Sequence, residues 1–409
     1  MRLTIERLGH HGDGIGADDV MGGPVFVPRA LPGEVVEGEV VAGRMDAPKV
    51  VTPSPDRRRA PCPHYAACGG CALQHATDAF VAGWKVQVVA SALAAQGLEA
   101  PMRAIQTSPG RSRRRATLSG RRTKKGTIVG FHGRASGTLV DLKDCALLAP
   151  QLLAALPTLH AVTEAGNSRK GELALTVTES ESGVDLAVMG GKPMDAELFQ
   201  KLAALAESAD LARITWEGEP VATRRPPLQR FGKALVAPPA GAFLQATKAG
   251  EAALLAAVRE TVGKARRIAD LFSGAGTFSL PLAEQAEVHA AESEKPMLVA
   301  LEAGFRKAQG LHRVTTETRD LFRRPLLPDE LNRHDAVVLD PPRAGAEAQV
   351  RELAQSKVKV IAYVSCNPVT FARDARILTA AGFRLDWVQV VDQFRWSPHV
   401  ELAARLSRG

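Results

Sequence analysis

The chain of 409 residues is long enough for two or three domains of roughly 100–200 residues each. Its hydrophobic residues (45%), few aromatic residues (5%) and formal net charge of +8 exclude a disordered chain. No run approaches the roughly 18 apolar residues of a membrane span, and residues 1–6 lack the apolar core of a signal peptide. We therefore expect a soluble, cytoplasmic protein.

Residues 1–52 are predicted to form a small β unit. Short runs rich in β-branched residues alternate with clusters of Gly, Pro and Asp, as expected of short strands, at 25–27 and 35–41. Gly12, Gly14 and Gly16 form a G-x-G-x-G run that no helix follows, which favours a turn-rich loop over a phosphate site. The unit resembles the small RNA-binding barrel known as TRAM, with OB-like geometry.

Residues 53–240 are predicted to form a central α+β domain. A connector rich in Pro and Arg leads into it, and prolines at 226, 227, 238 and 239 mark its end. A helix is expected over 78–98, where apolar residues recur at helical spacing, and it could pack on the C-terminal domain. Further expected elements are strands at 127–131 and 173–177 and a helix near 196–207.

One stretch of the central domain carries charge of a single sign. No acidic residue lies between Glu99 and Asp141. A solvated face usually mixes charges, whereas a one-sign surface attracts polyanions, so the stretch predicts contact with nucleic acid. Its basic residues are Arg103, Arg111, Arg113, Arg114, Arg115, Arg121, Arg122, Lys124, Lys125 and Arg134.

Four of the five cysteines lie in the N-terminal half, at Cys62, Cys68, Cys71 and Cys145. An odd count in a chain of this kind argues against a disulfide framework. Four thiolates can hold either a zinc ion or an iron–sulfur cluster. Structural zinc sites commonly use two cysteine pairs, and this sequence has only one pair at C-x2-C spacing.

From residue 241 the predicted elements alternate between helix and strand. A helix over 247–262 is followed by strands at 267–272, 287–292, 336–340 and 358–364. This order predicts a doubly wound, Rossmann-like α/β domain over 241–409, with its site at the carboxyl ends of parallel strands.

The turn after the first of these strands favours a nucleotide-like cofactor. Gly274 lies in Asp270-Leu271-Phe272-Ser273-Gly274, where glycine lets the backbone approach a ligand. Glu292 ends the next strand about 20 residues later, where a carboxylate can bind ribose hydroxyls. The turn alone would suit a dinucleotide or an adenosyl cofactor, and the later run 340–343 (Asp-Pro-Pro-Arg) favours S-adenosylmethionine.

Two further loops follow strands of the same sheet. Asp340-Pro341-Pro342 resembles the loop with which amino-group methyltransferases grip a planar amine, which is the main competing chemistry. One strand later, Cys366 lies in a Ser-Cys-Asn-Pro run. A thiol is what methylation of a pyrimidine at carbon 5 requires, because addition of a thiolate to carbon 6 makes carbon 5 nucleophilic.

Together these motifs resemble the RNA uracil-5 methyltransferases of the TrmA/RumA type. The match runs from Phe243-Leu244-Gln245 through the motifs above to Pro398-His399-Val400-Glu401. The resemblance implies Cys366 as nucleophile and Glu401 as the base that removes the carbon-5 proton. The residues it places at the cofactor or the target base are Gln245, Phe272, Gly274, Thr277, Glu292, Asp320 and Asp340.

The resemblance also bears on the cysteines and on the substrate. Their spacing is similar to the [4Fe-4S] site of the family members that act on 23S ribosomal RNA, which favours a cluster over zinc and 23S rRNA over transfer RNA. Such a cluster would be structural and would hold the basic segment 103–134 in place. Thr247 and Thr277 stand where the family usually has Asn, and they are the only support for a non-catalytic RNA-binding assembly factor.

Overall fold

The computed structural model describes residues 1–18 and 22–409. Within those ranges, no helix has both the length and the apolar character needed to cross a membrane. The first strands are β1 (Arg2–Thr4), β2 (Arg7–Leu8), β3 (Gly14–Asp18), β4 (Gly23–Val27), β5 (Val35–Glu37) and β6 (Lys49–Thr52). They form two antiparallel sheets, ordered β1-β5-β6 and β2-β3-β4, around a small apolar core.

The glycine run of this unit differs from the sequence prediction. Gly14 and Gly16 lie on β3 and not in a loop, although Gly12 does lie in the preceding bend. A Cβ at Gly16 would meet the Leu3 side chain and the Thr4 carbonyl oxygen at 2.5 Å. Glycine is required there because the strand passes close to its neighbour.

After α1 (Asp78–Ala94) and β7 (Met102–Thr107), the chain builds a central seven-stranded sheet. Its spatial order is β10 (Leu139–Asp141), β9 (Gly126–His132), β8 (Arg115–Thr123), β11 (Leu173–Ser180), β12 (Gly183–Met189), β13 (Arg213–Trp216) and β14 (Glu219–Thr223). Packed on it are α2 (Pro150–Ala154), α3 (Leu156–Gly166) and α4 (Ala196–Ser208). Trp216 is buried at the centre of this layer, and a Cβ at Gly166 or Gly191 would collide with its ring.

A short hairpin, β15 (Gln229–Phe231) and β16 (Ala234–Val236), leads into the C-terminal half. The helices there are α5 (Lys248–Val262), α6 (Ser279–Leu282), α7 (Lys295–Lys307), α8 (Pro328–Leu331), α9 (Glu347–Gln355) and α10 (Pro368–Ala380). The strands are β17 (Arg267–Leu271), β18 (Glu287–Glu292), β19 (Val314–Thr318), β20 (Ala336–Leu339), β21 (Val360–Ser365), β22 (Arg384–Asp392) and β23 (Leu402–Ser407).

The C-terminal strands form an eight-stranded sheet ordered β19-β18-β17-β20-β21-β23-β22-β7. Neighbouring strands are parallel except at β23, which is antiparallel to both β21 and β22. Helices cover both faces, since successive residues of β17 point into different apolar clusters. The predicted doubly wound sheet is therefore present. Strand order reverses between β17 and β20, which is where such sheets bind ligands.

The predicted range 53–240 does not behave as one structural unit. β7 pairs in parallel with β22 at the edge of the C-terminal sheet. Val89 and Leu93 of α1 pack in that sheet's core beside α10. The expected packing of this helix on the C-terminal half is observed, but the central sheet begins only with β8.

Candidate functional site

A cavity of about 1070 Å³ opens at the carboxyl ends of β17, β18, β20 and β21. It extends toward β8 and β9 of the central sheet, so its walls come from both halves of the chain. Nearly all of the residues predicted for the site line it. They are Gln245, Phe272, Gly274, Thr277, Glu292, Asp340, Cys366 and Glu401, together with Cys62, Cys68, Cys71 and Cys145.

The turn after β17 is shaped by backbone conformations that favour glycine. Gly274 and Gly276 have φ values of 55° and 95°, and Phe272 has the unusual value of 64° for a residue with a side chain. Gly274 N donates to Glu292 Oε2 at 3.0 Å, while the backbone N–H of Ser293 donates to Oε1 at 2.7 Å. These contacts hold the Glu292 carboxylate at the end of β18, against the cavity.

Asp270, beneath this turn, is fully buried and accepts a hydrogen bond from Ser279 Oγ at 2.5 Å. Burial, opposed by the Ser279 hydrogen bonds and helped by the Glu292 carboxylate, raises its pKa to about 7. Its Oδ1 and the Ser273 hydroxyl are buried with no protein hydrogen-bond partner among the described residues. Ser273 lines the cavity, so the cavity wall retains an unused hydroxyl.

Asp320 does not line the cavity, in contrast to its predicted role at the cofactor or base. Its Oδ1 instead accepts hydrogen bonds from the backbone N–H groups of Phe322 at 3.0 Å and Arg323 at 3.3 Å. This turn places the Phe322 ring against Phe272, with ring centroids 5.4 Å apart. Both rings line the cavity, so the turn at Asp320 helps to shape its wall.

Cys366 lies between the end of β21 and the start of α10 and is half-buried. Asn367 caps α10 by accepting from Val369 N at 3.1 Å, and its Nδ2 donates to the Arg343 carbonyl at 2.9 Å. The Ser-Cys-Asn-Pro and Asp-Pro-Pro-Arg loops are thus joined directly. Burial, helped by the carboxyls of Glu401 and Asp340 and opposed by Arg343, raises the pKa of the Cys366 thiol to about 11.

A chain of buried polar side chains links the two carboxyls that face the thiol. Gln393 Nε2 donates to Glu401 Oε2 at 3.1 Å and to Gln245 Oε1 at 2.5 Å. Gln245 Nε2 donates in turn to Asp340 Oδ2 at 3.3 Å. Burial raises the pKa of Glu401 to about 8, helped by the Asp340 carboxyl and opposed by Gln393. Burial likewise raises the pKa of Asp340 to about 7, with a further contribution from Asp270.

Gln393 was not predicted from the sequence, because it belongs to none of the recognised motifs. The same holds for a buried ion pair next to it, in which Lys85 Nζ of α1 lies 2.6 Å from Asp392 Oδ1. Lys85 Nζ also donates to the Phe394 carbonyl at 3.0 Å. This contact fastens the loop that leads from β22 to Glu401.

Thr247 and Thr277, which stand where the family usually has Asn, differ in their position relative to the cavity. Thr247 is buried and caps α5 by accepting from Gly250 N at 2.9 Å, and its hydroxyl lies 2.7 Å from that of Ser108. It does not line the cavity, so its replacement leaves the site's wall intact. Thr277 does line the cavity.

The acid-free stretch is not the one-sign surface expected from the sequence. Half of its basic side chains form ion pairs with acids distant in the chain, at Arg103–Glu260, Arg111–Asp144, Arg114–Glu251, Arg121–Glu172 and Arg134–Asp13. Arg113 and Arg115 have no acidic partner among residues 1–18 and 22–409, and both line the cavity. Burial lowers the pKa of both guanidinium groups, and the Nε of Arg115 has no hydrogen-bond partner there.

The four N-terminal cysteines lie along one end of this cavity as free thiols. Their loop packs on β9, where a Cβ at Gly69 would meet backbone atoms of residues 132 and 134 at 2.9 Å. Burial and, to a smaller extent, the other three thiols raise the pKa of Cys71 to about 12, against a hydrogen bond with Gln74, so all four cysteines are neighbours. In the described part of the chain, no three His, Cys, Asp or Glu side chains converge closely enough to hold a single metal ion.

Comparison with known proteins identifies the kind of molecule that carries this cavity. The family model described as tRNA (uracil-5-)-methyltransferase matches residues 237–409. An uncharacterized RNA methyltransferase of Caulobacter vibrioides is 44% identical over 99% of both chains. The 23S rRNA (uracil(1939)-C(5))-methyltransferase RlmD of Halomonas elongata is 35% identical, over 98% of this chain and 88% of its own. This chain belongs to the RNA uracil-5 methyltransferase family.

Membership of the uracil-5 methyltransferase family confirms the resemblance predicted from the motifs and makes the chain an S-adenosylmethionine-dependent RNA methyltransferase. The crystal structure of Pyrococcus abyssi tRNA (uracil-54, C5)-methyltransferase in complex with S-adenosyl-L-homocysteine matches 99% of both chains, with a TM-score of 0.78 and 24% identity. That similarity supports the fold. The competing prediction of amino-group methylation finds no support among these relatives.

Proposed function

We propose that this protein methylates carbon 5 of a specific uridine in 23S ribosomal RNA. The observation that carries the proposal is the grouping of a thiol and two carboxyls in one cavity with a cofactor-type turn. Cys366, Asp340 and Glu401 line the same space as Gly274 and Glu292. The first three groups are those that thiol-dependent pyrimidine methylation uses, and the last two suit an adenosyl ligand.

The residues around the turn fit S-adenosylmethionine. A Cβ at Gly274 would have one heavy atom within 4 Å, the Met297 terminal carbon at 3.8 Å, so the backbone is open to a ligand. The Glu292 carboxylate would receive the ribose hydroxyls, and the rings of Phe272 and Phe322 provide an apolar wall. The bound cofactor supplies an electrophilic methyl group.

The chain's own residues account for the remaining steps. The Cys366 thiolate forms a bond to carbon 6 of uracil, and the electrons of the carbon 5–carbon 6 double bond move toward the carbon-4 oxygen to give an enolate. Carbon 5 then takes the methyl group. Glu401 removes the carbon-5 proton, the double bond re-forms, and the bond between carbon 6 and sulfur breaks to release the thiolate.

The charges in the cavity act on the protonation of the Cys366 thiol. With a pKa near 11, Cys366 is a neutral thiol at neutral pH when no substrate is bound. The carboxyls of Asp340 and Glu401 oppose the thiolate, and Arg343 is the cation that favours it.

The target uridine must leave its stack to reach a thiol at this depth. Arg113 and Arg115 are placed to meet its phosphate, because each lines the cavity without an acidic partner in the described chain. Arg113 also lies over the Phe394 ring, with 5.8 Å between guanidinium carbon and ring centroid. The N-terminal β unit, which we propose is a TRAM-like module, would add contacts to RNA outside the cavity.

We further propose that Cys62, Cys68, Cys71 and Cys145 hold a [4Fe-4S] cluster. Four thiolates around one zinc ion would lie about 4 Å apart, and no such compact set exists among the described residues. The four thiols are neighbours along one cavity wall, and four thiolates can hold an iron–sulfur cluster. With all four positions taken by cysteine, the cluster would be structural and would join the loop before α1 to the loop after β10.

The RlmD relative supports ribosomal RNA as the substrate. The test is to map 5-methyluridine in 23S rRNA and in transfer RNA from cells lacking the gene. Loss at one 23S position is expected, and loss only from transfer RNA would assign the protein to that substrate instead. Intact methylation of both, with no binding of S-adenosylmethionine, would favour a non-catalytic assembly factor.

The covalent mechanism is tested with purified protein, RNA and methyl donor. The wild type should form 5-methyluridine, and Cys366→Ala should not. Glu401→Gln should accumulate a methylated RNA–protein adduct that survives denaturing gels, because release requires the carbon-5 proton to be removed. Full activity of Cys366→Ala would exclude the mechanism, and absence of the adduct would remove Glu401 from the role of base.

A further inference from the structure

Gln393 lies between the two carboxyl-bearing sides of the cavity and is only 2% exposed. Its Oε1 lies 2.7 Å from the backbone nitrogen of Ala246. A backbone N–H can only donate, so the atom facing it must be the amide oxygen. The amide orientation is therefore fixed, and Nε2 must face Glu401 and Gln245.

The same reasoning fixes the next amide. Gln245 Oε1 lies 2.5 Å from Gln393 Nε2, so it accepts, and Gln245 Nε2 must face Asp340. One backbone N–H thus sets the direction of a chain of hydrogen bonds that ends on two carboxyls. Each carboxyl receives one amide N–H, and Glu401 receives its own on Oε2.

We propose that Gln393 is a positioning residue for the proton-removal step, acting through Glu401. By donating to Oε2, it holds the carboxylate in one orientation, leaves Oε1 to take the carbon-5 proton, and favours the ionised form that a base requires. This inference rests on the proposed function and names a residue outside the recognised motifs.

The surroundings of Glu401 show why such a donor is needed. The charged and titratable groups near it are Asp340, from the loop after β20, and Cys366, from the loop after β21. The Asp340 carboxyl opposes ionisation of Glu401, because two negative charges in one buried site repel each other. On the side of α1 and β22, Lys85 and Asp392 neutralise each other. Gln393 is the group that favours the carboxylate, and it opposes the rise in the pKa of Glu401.

The fold also makes room for this side chain. A Cβ at Gly250 of α5 would lie 2.6 Å from the Gln393 Cβ and 3.0 Å from its Oε1. The absence of a side chain at Gly250 lets the loop after β22 lie close to α5. The preceding residue, Asp392, is held by Lys85, so the backbone of Gln393 is fixed from the other side.

The test is Gln393→Met, which keeps the length of the side chain but removes the donor. Loss of a hydrogen bond to the charged carboxylate should raise the pKa of Glu401 by about one to two units. In a plot of kcat against pH, the acidic limb should therefore move to higher pH by about that amount, because a larger fraction of Glu401 is protonated at each pH. Methylated RNA–protein adduct should also accumulate, as it does in Glu401→Gln, while KM for RNA changes little.

Gln389→Met is the matched control, because Gln389 lies on β22, four residues before Gln393, and its Nε2 donates to the Ala104 carbonyl at 3.1 Å, away from the cavity. Gln393→Glu, nearly identical in shape, should move the limb at least as far, and it serves if the methionine variant folds poorly. A lower kcat with an unmoved limb and no adduct in either variant would overturn the inference. A wild type that forms no 5-methyluridine would instead refute the proposed function.

Discussion

Lys85→Met should destabilise the protein strongly, although Lys85 lies far from the cavity motifs in sequence. The side chains of Lys85 and Asp392 are 0% and 2% exposed, and their charged atoms are 2.6 Å apart. Removing the amine leaves a buried carboxylate without a countercharge, which costs about 3–5 kcal/mol. At roughly 2–4 °C per kcal/mol, the midpoint of thermal unfolding should fall by roughly 10 °C.

The assay is urea unfolding with the slope compared between variants. Lys85→Met/Asp392→Leu should recover most of the loss, because it removes both charges together. Lys201→Met is the control for an exposed pair, since Lys201 and Glu197 are 57% and 77% exposed, and it should cost less than about 1 kcal/mol. The reasoning would be refuted if the free energy of unfolding of Lys85→Met lay within about 1 kcal/mol of the wild-type value. It would also be refuted if the double variant were no more stable than Lys85→Met.

Four further results are expected. Burial raises the pKa of Asp340 to about 7, so the folded protein binds more protons than the unfolded chain between about pH 4 and pH 7. Thermal stability should therefore fall as pH rises through that range. The fall should be shallower in Asp340→Asn, and an unchanged fall in that variant would contradict the raised pKa of Asp340. Arg113→Ala should weaken RNA binding and reduce the slope of log affinity against log salt by about one; the ion-paired Arg103→Ala should leave the slope intact, and equal slopes in both variants would argue against a phosphate contact at 113. Cys145→Ser should lower bound iron and acid-labile sulfide in protein purified without oxygen, whereas unchanged iron would exclude Cys145 as a ligand. Thr247→Val should cost about 1 kcal/mol of unfolding free energy through loss of the α5 cap, while Thr247→Asn should cost little; equal losses would show that the hydroxyl does not act as a cap.

Local patterns predicted the C-terminal half well, because each strand there is a short apolar run that ends at a chemically distinctive residue. Strand β18 ends at Glu292 as predicted, and β17 and β20 end within one residue of expectation. Parallel strands bring such residues to one edge of the sheet, so the meeting of Asp340 and Cys366 follows from topology. Asp320 does not line the cavity, and its turn brings Phe322 there, so its role at the cofactor or the base stays a prediction.

The features that local patterns could not predict depend on contacts between distant parts of the chain. The acid-free stretch was predicted to be a basic surface because the acidic partners of its arginines are distant in sequence, as Glu260 is from Arg103. Strand β7 (Met102–Thr107) looked like part of the central unit, yet its partner is β22 (Arg384–Asp392). Gln393 carries no pattern of its own, since its role comes from a backbone N–H at Ala246 and a carboxyl at Glu401.

These distant contacts share one consequence for the loop that carries Glu401. The loop is held at its start by Lys85 of α1, and in its middle the Trp396 carbonyl accepts from Ala72 N at 2.8 Å and Leu73 N at 3.0 Å. Both anchors come from the segment that contains or directly follows the cysteines. The catalytic half of the fold therefore does not position its proposed base alone. Under the proposed function, the N-terminal half contributes to the chemistry by holding this loop in place as well as by contacting RNA.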